Sequence, residues 1–75
     1  MEFNLLKYFI LHRNQVLTHS KILKEVWGAA YEYEMQYLRT YVNALRKKIE
    51  TNTTSPLYIQ TELGIGYRFI CNTPN

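Results

Sequence analysis

The side chains best equipped for chemistry stand on residues 36–50, QYLRTYVNALRKKIE. Arg39, Asn43, Arg46, Lys47 and Glu50 recur along one helical stripe, with Thr40 at its edge. Between Arg39 and Glu50 there are four positive residues and one negative. Guanidinium and ammonium groups bind phosphate oxygens. Arg can also bind guanine, and Asn adenine, through paired hydrogen bonds to the base edge. The stripe therefore holds the groups that a helix needs to contact duplex DNA. The plainer alternative is a solvated face of an amphipathic helix, which uses the same residue types.

Other chemistries lack their partners. His12 and His19 are seven residues apart with a polar break between them, and adding Cys71 makes no metal-ligand spacing. Ser20 adjoins His19, but neighbours in sequence do not converge as a triad, and the chain has no Asp. Gly64-Ile65-Gly66 precedes a strand pattern, not a helix, so it is not a phosphate loop. No enzyme activity, metal or cofactor is expected.

The cationic stripe needs a scaffold. Leu38, Tyr41, Val42, Leu45 and Ile49 form the opposite, apolar stripe of the same segment, and no Gly or Pro interrupts it. About four turns of helix are predicted there. Ahead of it, residues 2–11 read as a helix with Phe3, Leu6, Phe9 and Ile10 on one face and Lys7 outside. Only Met1 precedes Glu2, so this helix has no capping side chain. Residues 12–15 are a polar break, and Val16-Leu17 suggests a brief strand. Thr18 is a suitable N-cap for a helix over residues 20–27 whose apolar face is Ile22, Leu23, Val26 and Trp27; Gly28 stops it. Residues 29–35 form a loop that carries the acidic, aromatic run Tyr31, Glu32, Tyr33 and Glu34. After the cationic helix come a polar connection over residues 51–56 and two strand patterns, 58–61 and 67–71, around a turn with Gly64 and Gly66. The order is helix, short strand, helix, helix, hairpin. This is an α+β chain with a winged helix-turn-helix arrangement: three helices followed by a C-terminal β-hairpin wing.

Composition is compatible with this. Seventy-five residues make one small domain, and a 47% apolar fraction is too high for disorder. Nine Lys plus Arg against six Glu gives a net charge of +3, which permits a nucleic-acid partner without demanding one. A single Cys excludes an internal disulfide and suits a reducing compartment, the cytoplasm. No apolar run approaches a membrane span, so no membrane partner is expected.

The segments VLTHSKILKEVWG, LRTYVNALRKKIE and YIQTELGIGYRF resemble the C-terminal effector domains of OmpR/PhoB-type two-component response regulators, which are DNA-binding transcription factors. The likeness covers nearly the whole chain. The pairing of YLRTYVNALRKKIE with TELGIGYRF is most similar to the Kdp group, regulators of potassium-uptake operons. The resemblance implies several things. Arg39, Thr40 and Asn43 would touch base edges, and Arg46 and Lys47 phosphates. Thr61 and Arg68 would contact backbone or minor groove from the wing, with Gly64 and Gly66 shaping its turn. A pair with Glu62 is the plainer role for Arg68. Tyr31, Glu32, Tyr33 and Glu34 would face RNA polymerase; a module that binds only proteins is the competing function. The full-length protein would bind double-stranded DNA as a homodimer. Family members place a small sheet and a receiver domain before the first helix, so the chain, residues 1–75, is expected to be an effector domain truncated at its N-terminus. Many members have Asp where Arg39 stands and Arg where Asn43 and Ala44 stand, so their base preferences do not transfer.

Overall fold

A computed structural model describes residues 2–52 and 56–70 of the chain. Part of the polar connection before Pro56, and Cys71 at the end of the second strand pattern, lie outside them. The elements are α1 (Glu2–Leu11), β1 (Val16–Thr18), α2 (His19–Val26), a 3-10 turn (Ala29–Tyr31), α3 (Met35–Ile49), β2 (Ile59–Glu62) and β3 (Gly66–Phe69).

The first helix departs from expectation in which face it buries. Leu5 and Phe9 are fully buried and Leu6 packs against the core, whereas Phe3 is 74% exposed and Ile10 is also exposed. The reason lies in composition. Phe3, Leu5, Leu6, Tyr8, Phe9, Ile10 and Leu11 put apolar groups nearly all round the helix, so periodicity alone does not select a face. Packing against α3 selects it. Phe9 then meets Phe69 of the sheet with ring centroids 6.0 Å apart.

Asn14 takes the left-handed conformation (φ 65°) and its N–H donates to the Phe69 carbonyl at 2.7 Å, which reverses the chain into β1. Thr18 caps α2 by accepting from the Lys21 N–H at 3.2 Å, as its type and place predict. Gly28, at φ 117°, carries the chain out of that helix through a conformation that L side chains rarely adopt.

The short strand joins the hairpin. The sheet has the order β1-β3-β2, both pairs antiparallel, with Leu17 opposite Tyr67 and Tyr67 opposite Thr61. Alternation puts Ile59, Tyr67, Phe69 and Leu17 on one face, and all four are buried. They close one core with Ile22 and Leu23 of α2 and Leu38, Val42 and Leu45 of α3. Each such side chain contributes roughly 1.5–3 kcal/mol by leaving water.

Glu50 was expected on the exposed stripe of α3, and it is buried instead. It is the C-cap residue of α3, in extended conformation, and it turns its carboxylate under the incoming wing. Oε1 accepts from the N–H of Leu57 (2.8 Å) and Tyr58 (3.2 Å), and Oε2 from Tyr58 (2.9 Å) and Ile59 (2.8 Å). An anion surrounded by backbone donors satisfies the strand's first amides before any ladder begins.

Candidate nucleic-acid interface

The exposed side of α3 carries Arg39, Thr40, Asn43 and Lys47. Asn43 lies four residues after Arg39 and three after Thr40, and Lys47 four after Asn43, so they form a single outward stripe. The Thr40 hydroxyl donates back to the Gln36 carbonyl at 3.0 Å, which leaves its oxygen as an acceptor. Arg46, Lys47 and Lys48 sit in the last turn, where the helix dipole favours positive charge. Lys48 leans sideways to Glu2 of α1 at 2.8 Å.

Arg46 is placed differently from its neighbours. It is half-buried and faces the wing. Nε and Nη2 donate to the Ile59 carbonyl at 3.3 and 2.9 Å, and Nη2 donates to Thr61 Oγ1 at 2.7 Å. The guanidinium also lies 5.7 Å from the centre of the Tyr67 ring. Arg46 thus fastens the wing to α3. Thr61 is exposed, accepts from Arg46, and keeps its own O–H to donate outward.

Between α3 and the wing runs a cleft of about 340 Å³, lined by Arg39, Asn43, Arg46, Thr61 and Tyr67, by Glu62, Leu63 and Gly64 of the hairpin, and by His19. In the sequence His19 bears only on metal-ligand and triad chemistry, neither of which has the spacing it needs. It reaches the cleft because β1 pairs with β3: its ring meets Tyr67 edge-on at 5.5 Å, and its N–H donates to the Ile65 carbonyl at 3.2 Å. No local sequence signal marks it.

The remaining wing residues separate. Gly64, at φ 74°, makes the turn as expected. Gly66 is not a turn residue. It begins β3, and a Cβ there would lie 1.8 Å from the Leu17 carbonyl oxygen, so glycine is required by the closeness of β1. Arg68 stands opposite Val16 and Gln60, on the sheet face away from Thr61 and Tyr67. Its Nη2 pairs with Glu62 Oε2 at 3.2 Å, the plainer of the two roles considered for it.

At the far end of α3 the acidic loop carries an aromatic cluster. Trp27 is half-buried against Tyr37 and Tyr41, with centroids 5.4 and 5.3 Å away, and Tyr31 stacks on Tyr37 at 5.6 Å. A hydrogen bond with Tyr41 raises the Tyr37 phenol above its ordinary value. Tyr31, Tyr33 and Glu34 are exposed and Glu32 is half-buried.

Comparison with known proteins identifies the family and the fold. Residues 1–69 match the family described as "Transcriptional regulatory protein, C terminal". The chain is 41% identical over 68 residues to the transcriptional regulatory protein KdpE of Mycobacterium tuberculosis, covering 91% of this chain and 30% of that protein. It is 40% identical over 70 residues to the KDP operon transcriptional regulatory protein KdpE of Escherichia coli, covering 93% and 31%. The DNA-binding domain of Klebsiella pneumoniae RstA, solved in complex with the RstA box, superposes with a TM-score of 0.82 at 29% identity, covering 92% of this chain and 68% of that one. The chain thus spans under a third of the length of these curated relatives. None of this is an enzyme fold: the chain belongs to the winged-helix DNA-binding effector domains of OmpR/PhoB-type response regulators.

Proposed function

We propose that this chain binds double-stranded DNA in a sequence-specific manner with α3 in the major groove, as part of a regulator of potassium-uptake genes. The observation that carries the DNA reading is the outward stripe Arg39, Thr40, Asn43 and Lys47 beside the wing cleft. Arg39, Thr40 and Asn43 face base edges, and Lys47 faces phosphate. Arg46 and Thr61 act as one unit, in which Arg46 orients the Thr61 hydroxyl toward the backbone. The potassium role rests on about 40% identity to the two Kdp regulators. In the longer cytoplasmic protein the domain works as a homodimer on DNA, and a preceding segment covers the exposed Phe3, Ile10 and Leu11 of α1.

The test begins with selection of duplexes from a random pool. Truncating a base contact removes discrimination at one or two base pairs, worth roughly 1–3 kcal/mol. Truncating a phosphate contact weakens binding to every sequence and flattens the log–log salt slope by about one unit. Asn43→Ala is therefore expected to narrow the gap between selected and random duplex at unchanged slope. Lys47→Ala is expected to lower both affinities and the slope. Indistinguishable behaviour of the two variants would remove Asn43 as a sequence reader. Absence of the selected sequence upstream of potassium-uptake genes would end the potassium role.

A second reading has its own observation. Tyr31, Tyr33 and Glu34 project from the loop before α3, Tyr33 being 81% exposed, and suit a protein contact such as RNA polymerase. The two functions use different surfaces. Salt separates them, since a mainly apolar protein contact lacks the steep dependence of phosphate binding.

A further inference from the structure

Hairpin tips in water are usually built from small polar residues and glycine. The tip between β2 and β3 here is Leu63-Gly64-Ile65. Leu63 is 90% exposed and Ile65 51% exposed, so neither is held by the core. The turn itself is well made. The Ile65 N–H donates to the Glu62 carbonyl at 2.9 Å, Gly64 supplies the left-handed step, and the His19 N–H holds the Ile65 carbonyl. The tip is thus a firm support for an aliphatic side chain aimed at solvent. Leu63 and Gly64 also form one wall of the cleft whose other wall is Arg39 and Asn43. No cation shares the tip: Arg68 lies back in the strand, on the other sheet face, paired with Glu62.

We propose that the wing enters the DNA minor groove beside the α3 site through Leu63, an apolar wedge against the sugar edges, and not through a cation. This rests on the DNA-binding reading above. With α3 in the wide major groove, the wing across the cleft meets the next groove, which is about 6 Å wide and admits a single side chain. Aliphatic side chains are used at such positions to press on sugars and base steps. The contact adds affinity without displacing counterions, so it leaves no mark on the salt slope.

The experiment measures binding of the 75-residue chain and its variants to the selected duplex and to random duplex across several salt concentrations. Leu63→Ala is expected to weaken binding to both about three- to tenfold, as withdrawal of roughly half a leucine's apolar surface implies, at unchanged slope. Its melting temperature stays that of the parent, because Leu63 is 90% exposed and so buries little surface in the fold. Leu63→Arg is expected to steepen the slope by about one unit, since it introduces the missing cation. Arg68→Ala is expected to leave the slope as it is. Netropsin, which fills A·T minor grooves, should weaken the parent more than Leu63→Ala. Equal binding by the parent and Leu63→Ala, an equal effect of netropsin on both, or a slope lowered by one unit in Arg68→Ala would each overturn the proposal. A parent chain that binds no duplex would overturn the DNA-binding reading along with it, a result distinct from these three.

Discussion

Replacing Arg46 by Ala separates a structural strut from a simple phosphate contact. The guanidinium makes two hydrogen bonds to the carbonyl of Ile59, whose residue is fully buried, and one to Thr61 Oγ1. A hydrogen bond from a charged donor to a buried acceptor is worth about 1.5–3 kcal/mol, and its loss leaves the acceptor unsatisfied. The exposed bond to Thr61 and the stacking over Tyr67 add about 0.5–1 kcal/mol together. The sum is about 2–4 kcal/mol, a large share of the stability of a domain this small. A loss of that size lowers the melting temperature by roughly 10–25 °C in a chain of this length. Lys47→Ala, at an exposed site, should change stability by less than about 0.5 kcal/mol. Arg46→Lys keeps the charge but not the planar fork, so it should recover only part of the loss. The assay is thermal unfolding by circular dichroism, with the salt slope of DNA binding measured well below the transition. A strut predicts weaker binding at unchanged slope. A melting temperature within about 3 °C of the parent would refute the reasoning, because the wing would then not depend on these bonds.

Three further outcomes follow from the same contacts. Glu50→Ala strands the amides of Leu57, Tyr58 and Ile59, of which only the last belongs to a fully buried residue; a loss of about 2–4 kcal/mol is expected, checked by thermal melting and by faster hydrogen exchange at Ile59. Gly66→Ala should prevent β1 from pairing with β3 and abolish the cooperative transition, whereas Gly64→Ala meets open space and should cost only about 1–2 kcal/mol for its left-handed backbone; equal melting curves for the two would contradict the close approach at Gly66. Thr18→Ala should lower stability by about 0.5–2 kcal/mol through loss of the α2 cap, and Thr18→Ser should restore most of it in the same melting assay.

Much of the architecture was legible from local rules. The α3 stripe alternates apolar and polar at helical spacing, so Leu38, Val42 and Leu45 could be assigned to the core and Arg39, Asn43 and Lys47 to the surface. Thr18 and Gly28 marked the ends of α2 because capping depends on one side chain or one backbone conformation. The hairpin announced itself through β-formers around a glycine turn, and the pair Val16-Leu17 was recognisable as a strand.

What stayed hidden shares one cause. The buried face of α1, the inward turn of Glu50, the fork of Arg46 on Ile59 and Thr61, the pairing of Arg68 with Glu62 and the arrival of His19 in the cleft all involve partners distant in sequence. A lone charged residue on a helix looks solvated until a wing with free carbonyls or amides is laid against it. Gly66 is the sharpest instance: its sequence neighbourhood says turn, and only the packing of β1 against β3 shows that its missing Cβ is filled by the Leu17 carbonyl. The sequence by itself determined the elements, their caps and the cationic face, because those depend on spacing within one segment. The tertiary structure decided which charges of α3 stay exposed and which hold the wing in place, because that depends on what the chain folds back upon.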